Sequence, residues 1–188
     1  EVKSTGRRVY LSGSVRADTA DKTFTDLATG QTGYFEQIFQ DERRGYAYKV
    51  TFAAIYPNVT NLLRFNGNAF GIYSFSKREL DRMTDAEAQA FLGGTRDIAY
   101  LNRNIAIVGY PGAKLDEAPT QYNLQSNYVI KGDAMVTQSL SLGVDNTAGG
   151  GSVTTYYIEL EEYDISSDEE ILLILNERAQ DAQGIVDE

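Results

Sequence analysis

The chain has 188 residues, with 17 Lys plus Arg against 27 Asp plus Glu, and a formal net charge of −10 at pH 7. It contains no His, no Cys and no Trp, but 13 Tyr, 8 Phe, 17 Gly and only 3 Pro. Those zeros exclude a catalytic triad or dyad built on His or Cys, a thiolate or imidazole zinc site, and any disulfide. No internal repeat, low-complexity tract or linker divides the sequence, so a single domain over residues 1–188 is expected, burying roughly 70 % of its unfolded surface.

Strand patterns dominate from the start. Residues 8–15 form a short β-prone run, and residues 22–27 alternate weakly before a Thr29-Gly30 turn. The clearest strand is 46–56, whose even positions are Tyr46, Tyr48, Val50, Phe52, Ala54 and Tyr56. That is period two, and Pro57-Asn58 is expected to stop it. An Asn66-Gly67 turn signal precedes another strand at 69–76. Thr84 and Glu87 form a capping box, which predicts a helix over 85–92 ending at Gly93-Gly94.

Apolar runs at 98–101 and 105–108 follow, closed by Tyr110-Pro111-Gly112. Strands are expected at 127–130 and 134–142, separated by a Lys131-Gly132-Asp133 turn. The glycine-rich loop 145–151 then joins 152–160, which suggests two long strands paired as a final hairpin. A last helix is expected from Ser167, with Glu170 as its capping partner, through Gln183 to a stop at Gly184. Its five consecutive apolar residues, 171–175, cover more than one face, so the segment 165–184 docks either on its own domain or on a neighbour. The total is eight or nine strands at the spacing of an all-β antiparallel sandwich or barrel.

The charge is unevenly placed. Residues 1–150 hold 16 acids and 16 bases, whereas 151–188 hold 11 acids and one base, Arg178. Lys3, Arg7, Arg8 and Arg16 make the beginning mildly basic. The chain is therefore a neutral body with a basic head and an acidic end, and it has no basic stripe of the kind that nucleic acid requires. No run approaches the ~18 apolar residues of a membrane span, and no secretory signal is visible. Beginning at Glu1 rather than Met, the chain is expected to lack an N-terminal piece.

Chemistry without His and Cys falls to carboxylates, Lys, Tyr, Ser or Thr. A glycosidase needs two carboxyls across a cleft, one with a raised pKa. Glu159 and Glu161 share one strand face and Glu162 points the other way, a pattern more typical of a solvated face than of a catalytic pair. Asp41, Glu42, Arg43 and Arg44 read as an ion-pair network in a loop or as a subunit contact. Asp145 and Thr147 lack the spacing of an EF-hand, and Gly149-Gly150-Gly151 lacks the Gly-Lys-Ser/Thr of a phosphate loop. Asn58-Val59-Thr60 is a glycosylation acceptor by pattern alone. The Tyr excess suits half-buried packing, sugar stacking or interface anchors. No catalytic residue, metal ligand or cofactor is expected.

The layout, with about eight strands, one inserted short helix, a long final strand pair and a C-terminal helix, resembles single jelly-roll viral capsid proteins. The closing stretch Tyr156-Tyr157-Ile158-Glu159-Leu160-Glu161-Glu162-Tyr163-Asp164-Ile165 and its acidic helix are most similar to jelly-roll proteins of bacterial and archaeal viruses. The resemblance implies an eight-stranded jelly roll acting as a non-enzymatic structural subunit of a virion shell, in contact with copies of itself and other capsid proteins. It departs from many small capsid proteins in lacking a basic genome-binding arm, which argues against direct nucleic-acid contact. The charge split suggests head-to-tail subunit contacts through Arg7, Arg8, Arg43, Arg44, Glu161, Glu162, Ile171 and Leu175. A carbohydrate-binding or adhesive β-sandwich using exposed Tyr and carboxylates is the alternative.

Overall fold

The structure is a computed structural model and describes residues 2–25, 32–58, 69–92, 103–109, 127–130, 134–147 and 153–183. Nine strands and three α-helices follow in chain order among them, with a short 3-10 turn at Ala17–Thr19 after the first strand: β1 (Lys3–Arg16), β2 (Lys22–Thr25), β3 (Thr32–Gln40), β4 (Tyr46–Asn58), β5 (Ala69–Tyr73), α1 (Lys77–Arg82), α2 (Asp85–Leu92), β6 (Asn104–Gly109), β7 (Asn127–Ile130), β8 (Ser139–Thr147), β9 (Val153–Asp164) and α3 (Ser167–Gln183). The expected run 98–101, the loop tip 148–152, the turns at 29–30, 66–67, 110–112 and 131–133, the glycine stops after α2 and α3 and most of the acceptor triplet at Asn58 lie outside the described residues.

The chain is mostly β, in two antiparallel sheets. One has the order β1-β9-β4 and the other β2-β3-β8-β5-β6-β7. The pairing is nested: β1 joins β9, β3 joins β8, and β5 joins β6, so partners come from progressively closer positions in the chain. The expected final hairpin does not form. β8 and β9 belong to different sheets and face each other, with Leu140, Leu142 and Val144 meeting Ile158 and Leu160 in the core. Two alternating strands around a glycine loop have the same pattern whether the chain returns within one sheet or crosses to the other.

In β4 the apolar parity changes midway. Val50 pairs with Leu160 but Phe52 pairs with Glu159, so Thr51 is an extra residue and the strand carries a bulge there. Tyr48 and Val50 point into the core before it, and Ala53 and Ile55 after it. Phe52 is left half-buried, edge-on to Tyr157 at 6.0 Å between ring centroids. Pro57 does not end the strand, because β4 lies at the margin of its sheet, where a missing N–H costs no ladder bond.

The larger sheet is covered on both faces at β3 and β5. Tyr34, Ile72 and Leu142 join the sandwich core, while Phe35, Tyr73 and Phe75 pack outward with Leu80, Met83 and Ala88 of the α1–α2 layer. Phe35 meets Tyr73 and Phe75 edge-on at 5.2 and 5.8 Å. Helix α1 was not expected. Its capping box is Ser76 with Glu79, placed where a continuing strand was read. Helix α3 starts one residue earlier than expected in its capping: Ser166 and Glu169, not Ser167 and Glu170, bond reciprocally at 2.8 and 3.2 Å.

Candidate functional site

Two arginine–carboxylate clusters lie side by side at one end of the sandwich, where β9 ends and β4 begins. The first is centred on Glu162. Along β9 the even residues Thr154, Ile158, Leu160 and Glu162 point inward, so the alternation that buries two aliphatic side chains also buries a carboxylate. Glu162 is 3 % exposed. Its Oε2 accepts from Arg43 Nη2 at 2.8 Å, Arg7 Nη1 at 2.9 Å and the Tyr48 hydroxyl at 3.1 Å, and its Oε1 accepts from Thr5 Oγ1 at 3.0 Å.

A bulge in β1 supplies two of those donors. The register steps from Ser4 opposite Tyr163 to Arg8 opposite Glu161, which leaves Thr5, Gly6 and Arg7 sharing the position facing Glu162. Gly6 takes φ +77°, a left-handed conformation that side chains disfavour. Arg43 also grips Asp41, with Nη2 2.9 Å from Oδ2 and Nε 3.1 Å from Oδ1, and the Tyr48 hydroxyl donates its single proton between Asp41 and Glu162.

Both carboxyls are held ionised. The Arg43 guanidinium, joined by the Tyr48 hydroxyl and the Arg43 N–H, outweighs burial and draws Asp41 down from 3.8 to about 2. Burial pushes Glu162 upward, but the bonds from Arg43, Thr5 and Tyr48 overcome it and leave its pKa lowered. Burial, then the bond to Asp41, raises Tyr48. General acid catalysis needs one carboxyl moved up, whereas here both move down and each oxygen of Glu162 is engaged. Chemically the cluster is a clamp joining β1, β4, β9 and the β3–β4 turn.

The second cluster borders a cavity of about 590 Å³. Arg103, 3 % exposed, donates to the Ser74 carbonyl at 3.1 Å and to Glu79 Oε2 at 2.5 Å, with its guanidinium 5.3 Å from the Phe75 ring centroid. Arg78 and Arg82, four residues apart on α1, share the helix face that lines this cavity. Ser74, Ser76, Thr137, Gln138 and Ser139 also line it, and Ile174 of α3 adds an apolar wall. The segment 136–139 separates the two clusters: Asp41 N–H donates to the Gln138 carbonyl at 2.8 Å, and Tyr48 exchanges backbone bonds with Val136. Among the described residues no group of three or more acids is placed to hold a metal ion, and no helix is long and apolar enough to cross a membrane.

The eight residues expected at subunit contacts separate into four groups. Arg7, Arg43 and Glu162 converge within one chain, so this part of the basic head and acidic end is matched internally. Glu161 lies on the opposite strand face, opposite Arg8 in register, accepting from Ser4 Oγ at 2.8 Å and the Tyr163 hydroxyl at 2.9 Å. Arg44 is exposed at the β3–β4 turn. Ile171 and Leu175 are 55 % exposed on one face of α3, with Leu172 beside them at 59 %. The root of that helix is fixed: the Gly45 N–H donates to Glu170 Oε2 at 3.3 Å, and the Ile165 N–H to the Gly45 carbonyl at 3.0 Å.

Sequence reasoning missed Arg103, Ser74 and the α1 arginines. The one available signal was Ser76 with Glu79 three residues on, the same capping pattern that located α2. No protein-family model, curated protein or solved structure matches the chain.

Proposed function

We propose that the chain is a structural subunit of a viral shell, built on a jelly roll and assembling in the virion with copies of itself and other capsid proteins. The nested strand pairing carries this reading. First with last, then the next inward on the facing sheet, then the innermost pair, is the wrap of two Greek keys, and jelly rolls of this kind form viral capsid domains as well as lectins and cupins. In it β6 and β7 both lie against β4, and the Tyr48–Val136 backbone bridge joins β4 to the segment leading into β8. Assembly is favoured over sugar binding by α3, whose root is bonded to the body while Ile171, Leu172 and Leu175 are presented outward. An apolar helix face meeting a different surface on the next subunit makes a heterologous contact, which builds rings and lattices. Contact with the genome forms no part of this role.

Negative-stain imaging and light scattering of the purified protein test it. The wild type is expected as large particles or rings. The double substitution Ile171→Asp/Leu175→Asp is expected to reduce it to a monomer, with stability changed by no more than about 0.5 kcal/mol because both sites are exposed. A wild type that stays monomeric at all concentrations, or particles unchanged by the double substitution, sinks the shell reading. A monomer that binds on a glycan array replaces it with the carbohydrate-binding one.

A further inference from the structure

We propose that the cavity beside Arg103 is a binding site for a small molecule carrying a phosphate or carboxylate group. Its volume, about 590 Å³, lies in the range of small-molecule pockets. The charge inside it is opposite to that of the whole chain: the net charge is −10, yet three arginines line this cavity against one acid, Glu79. That acid is already committed. Its Oε2 receives Arg103, and its Oε1 accepts from the Ser76 N–H and hydroxyl at 3.3 and 3.1 Å.

Arg78 and Arg82 make no ion pair among the described residues, so the cavity wall carries two guanidinium groups that no described carboxylate engages. Guanidinium forks recognise oxyanions through paired N–H donors, and surrounding hydroxyls complete such a shell. An independent observation points the same way. Ser74 lines the cavity, is only 4 % exposed, and its Oγ has no hydrogen-bond partner among the described residues. Buried hydroxyls are nearly always bonded, and an orphaned one beside unpaired arginines marks a place where a further polar group belongs. Ile171, Leu172 and Leu175 do not line the cavity, so oxyanion binding does not rest on the shell reading.

Isothermal titration of the full chain with inorganic phosphate, succinate and, as the uncharged control, glucose tests the site. Phosphate or succinate is expected to bind, and which of the two binds more tightly distinguishes a phosphoryl from a carboxylate ligand. The double substitution Arg78→Gln/Arg82→Gln is expected to weaken that binding at least about tenfold. Thermal midpoints confirm that the variant folds, since the Ser76–Glu79 cap of α1 is left in place. Arg16→Gln, which removes an arginine paired with Asp18 at the opposite end of β1, is expected to bind as the wild type does. No heat with either anion, binding indifferent to Arg78→Gln/Arg82→Gln, or an equal loss in Arg16→Gln overturns the proposal.

Discussion

At the Glu162 cluster the acid is buried and the bases reach water; at the Arg103 cluster the arrangement is reversed. The Glu162 side chain is 5 % exposed, with Arg7 and Arg43 at 55 % and 47 %. Arg103 is 3 % exposed and Glu79 39 %. Four donors converge on the buried carboxylate, so in the first cluster the arginines are committed to an acid of the chain itself. In the second cluster Arg78 and Arg82 form no ion pair among the described residues, so their donors remain available, and the cluster opens on a cavity. Two groupings of the same residue types thus have opposite capacities, decided by which partner the strand register turned inward.

The largest expected effect separates them directly. Glu162→Gln removes the acceptor on which three segments converge and places an amide against two guanidinium groups, at a cost of about 3 kcal/mol. Glu79→Gln costs less, about 2 kcal/mol, because Arg103 keeps the Ser74 carbonyl. It also adds net positive charge to the cavity and is expected to tighten phosphate binding, which Glu162→Gln leaves unchanged. Urea midpoints and phosphate titrations on both variants read the contrast. If both respond alike in both assays, the distinction between clamp and cavity is wrong.

Acid probes the same contrast more gently. Asp41 and Glu162 have folded-state pKa values below their ordinary ones, so their contribution is complete at neutral pH. It fades as pH falls below the ordinary carboxylate range and is lost as pH passes the folded value of about 2 for Asp41. For Asp41 the loss is about 2 kcal/mol. Asp41→Asn is expected to be less stable than the wild type at pH 7 and to converge with it at about pH 2. Parallel stability curves for the two proteins would remove Asp41 from the clamp.

Much of this architecture was legible in the sequence. The positions of β1, β4, β6, β7 and β9, the cap of α2 and the opposite orientation of Glu162 relative to Glu159 and Glu161 follow from period and spacing, whereas the strand expected at 134–142 lies at Ser139–Thr147. What was not legible has identifiable physical causes. β3 was missed because Gly33, Tyr34 and Phe35 are all buried, Tyr34 in the sandwich and Phe35 under the helices, and a strand covered on both faces does not alternate. The Thr51 bulge reversed the parity of β4 without any mark in composition. Glu162 could be assigned to a face, but whether that face was core or solvent depended on the facing sheet. Arg103 and Glu79 are 24 residues apart, and only the sheet topology brings them together.

The smallest effect is expected at Gly6, and it tests whether the β1 bulge belongs to the clamp. A Cβ built on Gly6 meets nothing within 4 Å, so Gly6→Ala has no steric cost beyond the backbone. At φ +77° that cost is about 1 kcal/mol for alanine. Asparagine tolerates this region better, so Gly6→Asn is expected to lie between the wild type and alanine. The bulge brings Thr5 and Arg7 onto one carboxylate, so a strained Gly6 also weakens two of that carboxylate's hydrogen bonds. Gly6→Ala should therefore cost more in the wild type than in Glu162→Gln, where those bonds are already impaired. A double-mutant cycle measures that difference, expected at roughly 0.5 kcal/mol. Equal costs in both backgrounds would show that the bulge shapes β1 for its own sake and not for Glu162.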